Sequence, residues 1–254
     1  MTITILPDSS ATAPAVEIIS AVMLPPAATA MLTTPFSALV DDISAFVPGC
    51  PSPVIERTIR KIAVDLCQRG KVWEADLAPV TLTAGQYSYV LASPVEYGEV
   101  TDLLNAAITT ADSTSRISLR WIPLPNLRLT RPSWPTDDAG QPMYISTNEP
   151  NELVVAPVPE ANLTLTMRAV LRPTATATEW PSYLHDEYKR VLFHGSIHEL
   201  LMMPGRSWST SDKQSAATAQ YHGKQWTYLL NAARHRTATG YNARSLSVQM
   251  NPFA

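Results

Sequence analysis

His194 and His198 stand four residues apart on a segment that reads as helix, with Glu199 beside the second. That spacing offers two imidazoles to one metal ion. The order H-G-S-I-H lacks the glutamate next to the first histidine that a zinc peptidase uses as its base. His185 and Glu187 lie upstream, yet the spacing supplies no third ligand. Packing or surface roles for His194 and His198 are therefore preferred, and no cofactor is expected. Cys67 sits inside a helical pattern, where a buried thiol behaves as a small apolar residue. With Cys50 it is one of two cysteines, too few for a disulfide framework or a zinc site. No G-x-S-x-G elbow or phosphate-cradling glycine loop occurs. The carboxylate pairs Asp41-Asp42, Asp137-Asp138 and Asp186-Glu187 are sequence neighbours whose side chains diverge on any regular element. Trp121, Trp134 and Trp180 flank proline-rich loops, as a sugar-stacking surface would require, but core or loop-anchoring roles are preferred. These residues predict no enzyme.

Composition narrows the classes further. A chain of 254 residues can bury a real core as one large domain or two small ones. Its net charge of −3 argues against a nucleic-acid grip, which needs a clustered basic face. Twenty-two prolines against nine glycines favour stiff, extended loops over flexible ones. No uninterrupted apolar run approaches the ~18 residues of a membrane span. Arg57 is the first basic residue, so the N-terminus lacks the charged start of a signal peptide, and a soluble, intracellular origin is expected.

The elements that would position these residues alternate along the chain. Residues 1–34, rich in Ala, Thr, Ser and Pro, read as an extended N-terminal arm. Residues 35–72 read as the first part of a helical bundle. Phe36, Leu39, Val40, Ile43 and Phe46 recur at helical spacing, and Ser52-Pro53 suggests an N-cap with proline at the first helical position. Ile55, Ile59, Ile62 and Leu66 form one stripe there, while Glu56, Arg57, Arg60, Lys61, Asp65 and Arg69 cover the opposite face. Residues 73–179 shift to a period of two and predict an antiparallel β platform, with Val80 and Leu82 and then Tyr87, Tyr89 and Leu91 as a hairpin. The run from Arg116 to Trp121 alternates strictly, and Pro123 and Pro125 send the chain into an edge or loop. Residues 180–243 complete the bundle, with Leu184, Tyr188, Val191, Leu192, Gly195 and Met202 on a buried stripe. Gly195 in mid-helix predicts a second helix in close contact. In residues 244–254, Leu246, Val248 and Met250 alternate with Ser or Gln, so this tail can add as a strand to another sheet. The fold class is α+β: a helical bundle from the N- and C-terminal helices, an inserted antiparallel β platform, an N-terminal arm and a C-terminal tail.

Three segments in this order resemble the head-to-tail adaptor proteins of tailed bacteriophages, the connector or tail-tubular-A-like group. They are IRKIAVDLCQRGKVWEADLAPVTLTAGQYSYVL, LVVAPVPEANLTLTMRAVLRPTATATEWPSYL and YKRVLFHGSIHELLMMPGRSWSTSDKQSAATAQYHGKQW, and the likeness runs over roughly residues 54–243. The resemblance implies a structural protein of the virion neck, made in the host cytoplasm. It would form a homo-oligomeric ring of about twelve subunits below the portal, extending the DNA channel and offering a platform to the tail. Its implied partners are the portal protein, downstream tail or nozzle proteins, and double-stranded DNA passing without sequence recognition; no membrane is involved. In that setting the charged helix face (Glu56, Arg57, Arg60, Lys61, Asp65, Arg69) would meet a neighbouring subunit. The tail residues Arg244, Leu246, Val248, Met250 and Phe253 would enter the portal. The competing readings are another neck or tail module (a stopper, a completion protein or a glycan-binding platform) and a metal-dependent hydrolase at His194 and His198.

Overall fold

The computed structural model describes residues 32–110, 116–136, 139–148, 152–205, 208 and 213–239. The chain divides into two units, Met1–Met31 and Leu32–Ala254, and every described residue belongs to the second. The fold is α+β, with helical segments toward both ends of the described chain and largely antiparallel sheets between them.

The bundle is opened by a short strand β1 (Thr33–Pro35), which pairs antiparallel with β11 (Glu179–Pro181). Thr33 and Thr34, the last two residues of the expected arm, thus pair with Pro181 and Trp180. A 3₁₀ turn (Phe36–Leu39) leads into α1 (Val40–Ser44), followed by α2 (Ser52–Gly70). The chain returns after the platform as α4 (Ser182–Leu201) and α5 (Lys213–Thr239). Ile55, Ile59, Ile62 and Leu66 are all buried, as their spacing predicts. Each such side chain contributes roughly 1.5–3 kcal/mol by leaving water. Gly195 of α4 lies where three helices meet. A Cβ there would stand 2.7 Å from Ile62 Cγ2 on α2 and 2.8 Å from Trp226 Cδ1 on α5.

Several bundle expectations are corrected. Pro51, not Ser52, occupies the N-cap of α2, and no side chain caps that end. α1 stops at Ser44, so Phe46 leaves the helical stripe and is half exposed. Met202 follows the last turn of α4 and is exposed rather than buried. At the end of α2 the left-handed position falls to Lys71 (φ 51°), although a glycine immediately precedes it. Gly70 falls inside the helix instead, where a Cβ would stand 3.1 Å from Val72 Cγ1, closer than ordinary contact.

The platform is a sandwich of two sheets. The first contains β2 (Glu74–Asp76), β10 (Leu163–Pro173), β5 (Gly98–Thr110) and β6 (Arg116–Ser118) in that spatial order, with β3 (Val80–Leu82) also on β10. The second runs β4 (Ser88–Val90), β9 (Glu152–Ala156), β8 (Tyr144–Thr147) and β7 (Arg120–Trp121). Leu82, Ile108, Leu165 and Met167 of the first sheet and Tyr89, Ile145, Leu153 and Val155 of the second share one core. The outer face of the second sheet is covered by α3 (Leu124–Thr130), whose Leu127 joins Trp134, Val154 and Ala156 in a small cluster of its own. Residues 153–156 are therefore buried on both faces.

Here the alternation rule identifies strands but misplaces their partners. Gly85 turns with φ +80°, yet β3 pairs with β10 and β4 pairs with β9, so the expected hairpin is not formed. The Tyr89 hydroxyl holds the turn by donating to Gln86 O at 2.7 Å and accepting from Thr83 N at 3.1 Å. The run from Arg116 to Trp121 likewise splits: β6 pairs with β5 of one sheet, and β7 runs parallel to β8 of the other. Pro123 and Pro125 begin a helix rather than a loop, since the first helical turn needs no backbone donors.

β10 joins the two regions. Its first half alternates buried and solvent-facing residues, with Leu163, Leu165 and Met167 in the sandwich core. After register shifts at Arg168/Ala169 and Val170/Leu171 it is largely buried, packs against α2 and contributes Leu171 to the bundle core. Leu171 N also donates to Trp73 O at 2.8 Å, so the chain enters and leaves the platform at adjacent points.

Candidate functional site

The charged face of α2 is the first surface the sequence singles out, and four of its six residues are engaged within the chain. Arg60 Nη1 donates to Ala175 O at 2.7 Å, in the segment before β11. Lys61 pairs with Glu199 of α4. Asp65 and Arg69 pair at 2.9 Å one helical turn apart, and the Arg69 guanidinium lies 5.7 Å over the Trp226 ring. Glu56 and Arg57, near the start of α2, make no ion pair among the described residues. The Lys61–Glu199 pair is largely solvated, so it contributes no more than about 1 kcal/mol. Its value is orientation: it ties α2 to α4 across the bundle surface.

The tail residues Arg244, Leu246, Val248, Met250 and Phe253 lie outside the described residues. α5 carries the chain as far as Thr239, and its last turns are fixed to α2. Thr237 Oγ1 donates to Gly70 O at 2.7 Å, satisfying a carbonyl that the end of α2 leaves open.

The histidines do not assemble as a metal pair. His194 and His198 both direct Nδ1 at α5, to different partners. His194 Nδ1 lies 2.9 Å from Nδ1 of His222, and His198 Nδ1 lies 2.9 Å from the Ala219 carbonyl oxygen. His185 Nδ1 faces Asp186 at 3.3 Å instead of joining them. Among the described residues, no group of three or more His, Cys, Asp or Glu gathers to hold a metal. Burial, reinforced by Arg190, pushes the His194 imidazole below its ordinary range. Burial acts in the same direction on His222, with His194 and His198 adding to it. Burial raises the Cys67 thiol, which keeps it protonated and unreactive.

Other candidates are likewise drawn into structural contacts. Asp42 pairs with Lys189 at 3.0 Å, and Glu187 pairs with Arg236. The three tryptophans do not share a surface. Trp180 is in the bundle core stacked on Phe36, Trp134 Nε1 donates to Val155 O at 3.1 Å beneath α3, and Trp121 is exposed on β7. A cleft of about 670 Å³ opens where the end of α2 meets α5 and β2, lined by Arg69, Lys71, Glu74, Trp226 and Arg234. Two of its cations are already matched, Arg69 by Asp65 and Lys71 by Asp102 at 2.6 Å. No helix among the described residues is long and apolar enough to cross a membrane.

His222 and Trp226 escaped the sequence reading. They lie one turn apart on α5 and meet α4 from a distance of 28 residues or more along the chain, so no local spacing announces them. What the arrangement offers among the described residues is a set of helix faces and sheet edges. No curated protein matches the chain. The model of the SU10 adaptor protein family, a phage adaptor family of structural proteins, matches residues 34–249. That match takes in both bundle segments and the whole platform, and the chain accordingly belongs to the SU10 adaptor protein family.

Proposed function

We propose that this chain is a head-to-tail adaptor of the connector or tail-tubular-A-like kind. It forms a ring of about twelve subunits below the portal in the virion neck. The ring extends the DNA channel, and the platform faces downstream tail or nozzle proteins. The family match over residues 34–249 carries this reading. Two features support it, one of the structure and one of the sequence. A ring contact joins two unlike faces of each subunit, and α2 and α5 offer unlike faces, one carrying Glu56 and Arg57 and the other Tyr221, Lys224 and Tyr228. The engaged residues Arg60, Lys61, Asp65 and Arg69 would act in that contact by holding α2 in place. A chain of net charge −3 also suits a lumen through which DNA slides, because a cationic wall would bind phosphate.

The tail after α5 is the proposed portal contact, with Leu246, Val248 and Met250 adding as a strand and Arg244 and Phe253 flanking them. Counting the protein in purified virions by quantitative mass spectrometry tests the ring. About one copy per portal subunit, near a dozen per particle, is the expected result. Absence from the particle would overturn the reading. Truncation after Tyr241 tests the tail: portal binding should be lost while circular dichroism is unchanged, and retained binding would remove the proposal.

A further inference from the structure

The seam between α4 and α5 is closed by imidazoles. His222 is only 4% exposed, and its Nδ1 meets Nδ1 of His194 at 2.9 Å, so one ring donates a hydrogen and the other accepts it. The rings of Phe46, Phe193 and Tyr221 surround the pair. One turn further along α4, His198 Nδ1 donates to Ala219 O, and a Cβ on Gly223 would fall 2.8 Å from the His198 ring. The backbone of α5 therefore rests directly on that imidazole.

The pair can carry only so many protons. Neutral, it holds one shared Nδ1 hydrogen, and one added proton leaves that bond intact as imidazolium to imidazole. A second added proton puts a hydrogen on both Nδ1 atoms, removes the acceptor and sets two like charges together among aromatic rings. The surroundings reinforce this. Arg190 on α4 and the neighbouring His198 act on the pair with the same sign, and Lys224 of α5 lines the same open cleft as His198. Glu199 of α4 is turned toward Lys61 of α2, and the turn after α1 contributes the uncharged Phe46 ring.

We propose that the His194–His222 pair is an acid-operated latch, clamping the N-terminal half of α5 onto α4 while neutral and releasing it when both rings are protonated. Released imidazoles titrate near the ordinary 6.5, whereas burial holds both rings lower in the closed seam. The open state therefore takes up protons first. The contribution of the seam is complete above about pH 6.5 and is lost as the pH falls through the lower values of the closed state. This device belongs to the subunit itself and does not depend on ring number or portal contact.

Hydrogen exchange of the full chain, followed by mass spectrometry and corrected for intrinsic rates, tests the latch. Between about pH 7.5 and about pH 5, peptides covering residues 219–229 should lose roughly tenfold in protection while those of α2 hold theirs. In His222→Asn, whose side chain keeps a hydrogen-bonding group near Nδ1 but cannot titrate, that loss should shrink to less than about threefold. An equal loss in both proteins, or none in the wild type, would overturn the proposal. Should the variant not fold, NMR titration of the wild-type histidines decides: His194 and His222 titrating below about 6.5 supports the latch, and titration at or above it does not.

Discussion

The bundle and the platform are built on different terms. The bundle has one continuous core that runs from Phe36 through α2 and α4 to Ala233 of α5, with Trp73 and Trp180 fully buried in it. The platform has two separate cores, one between its sheets and one beneath α3, and most of its strands span five residues or fewer. Its continuity comes from one long pairing, β5 with β10, rather than from side-chain mass. The bundle should therefore fail as a whole and the platform in parts.

Four substitutions would break or sharpen that contrast. Trp180→Ala removes a fully buried ring stacked on Phe36 and should cost about 3–5 kcal/mol. A thermal melt should show the loss in every probe of the bundle; a loss confined to one helix would contradict the single core. Leu127→Ala should cost about 2–3 kcal/mol. Hydrogen exchange should locate that cost in α3 and the outer face of the second sheet, leaving α2 and α4 protected. Gly195→Ala forces a methyl group against Ile62 and Trp226 and should destabilise by roughly 1–3 kcal/mol, seen as a lowered denaturant midpoint. An unchanged midpoint would mean that the three helices can part at little cost. Smallest of all, Glu199→Gln loosens a solvated tie between α2 and α4 and should change stability by no more than about 1 kcal/mol, less in high salt.

The same contrast explains what was legible in the sequence. Helical burial has a local period, so Ile55, Ile59, Ile62 and Leu66 could be placed on one face, and Gly195 in mid-helix correctly implied a close neighbour. Strand alternation is also local, but strand pairing is not. Val80–Leu82 and Ser88–Val90 were recognisable as strands, while their true partners lie 81–85 residues away on β10 and 62–66 residues away on β9. Leu119 sits at the point where the chain crosses from one sheet to the other, yet nothing in the alternating run marks it. Function followed the same division. The charge pattern of α2 was visible, whereas the contact of His194 with His222 is set by how α5 lies on α4.

The hydrogen bond from Leu171 to Trp73 has a consequence for how such proteins diversify. Because the platform leaves the bundle at neighbouring backbone positions, everything between them is spliced in at a single doorway. That whole cassette can be lengthened, shortened or exchanged with the bundle preserved, provided the replacement returns its two ends to the same doorway. The helices then keep one shared core, and the inserted sheets are free to vary in length and outline.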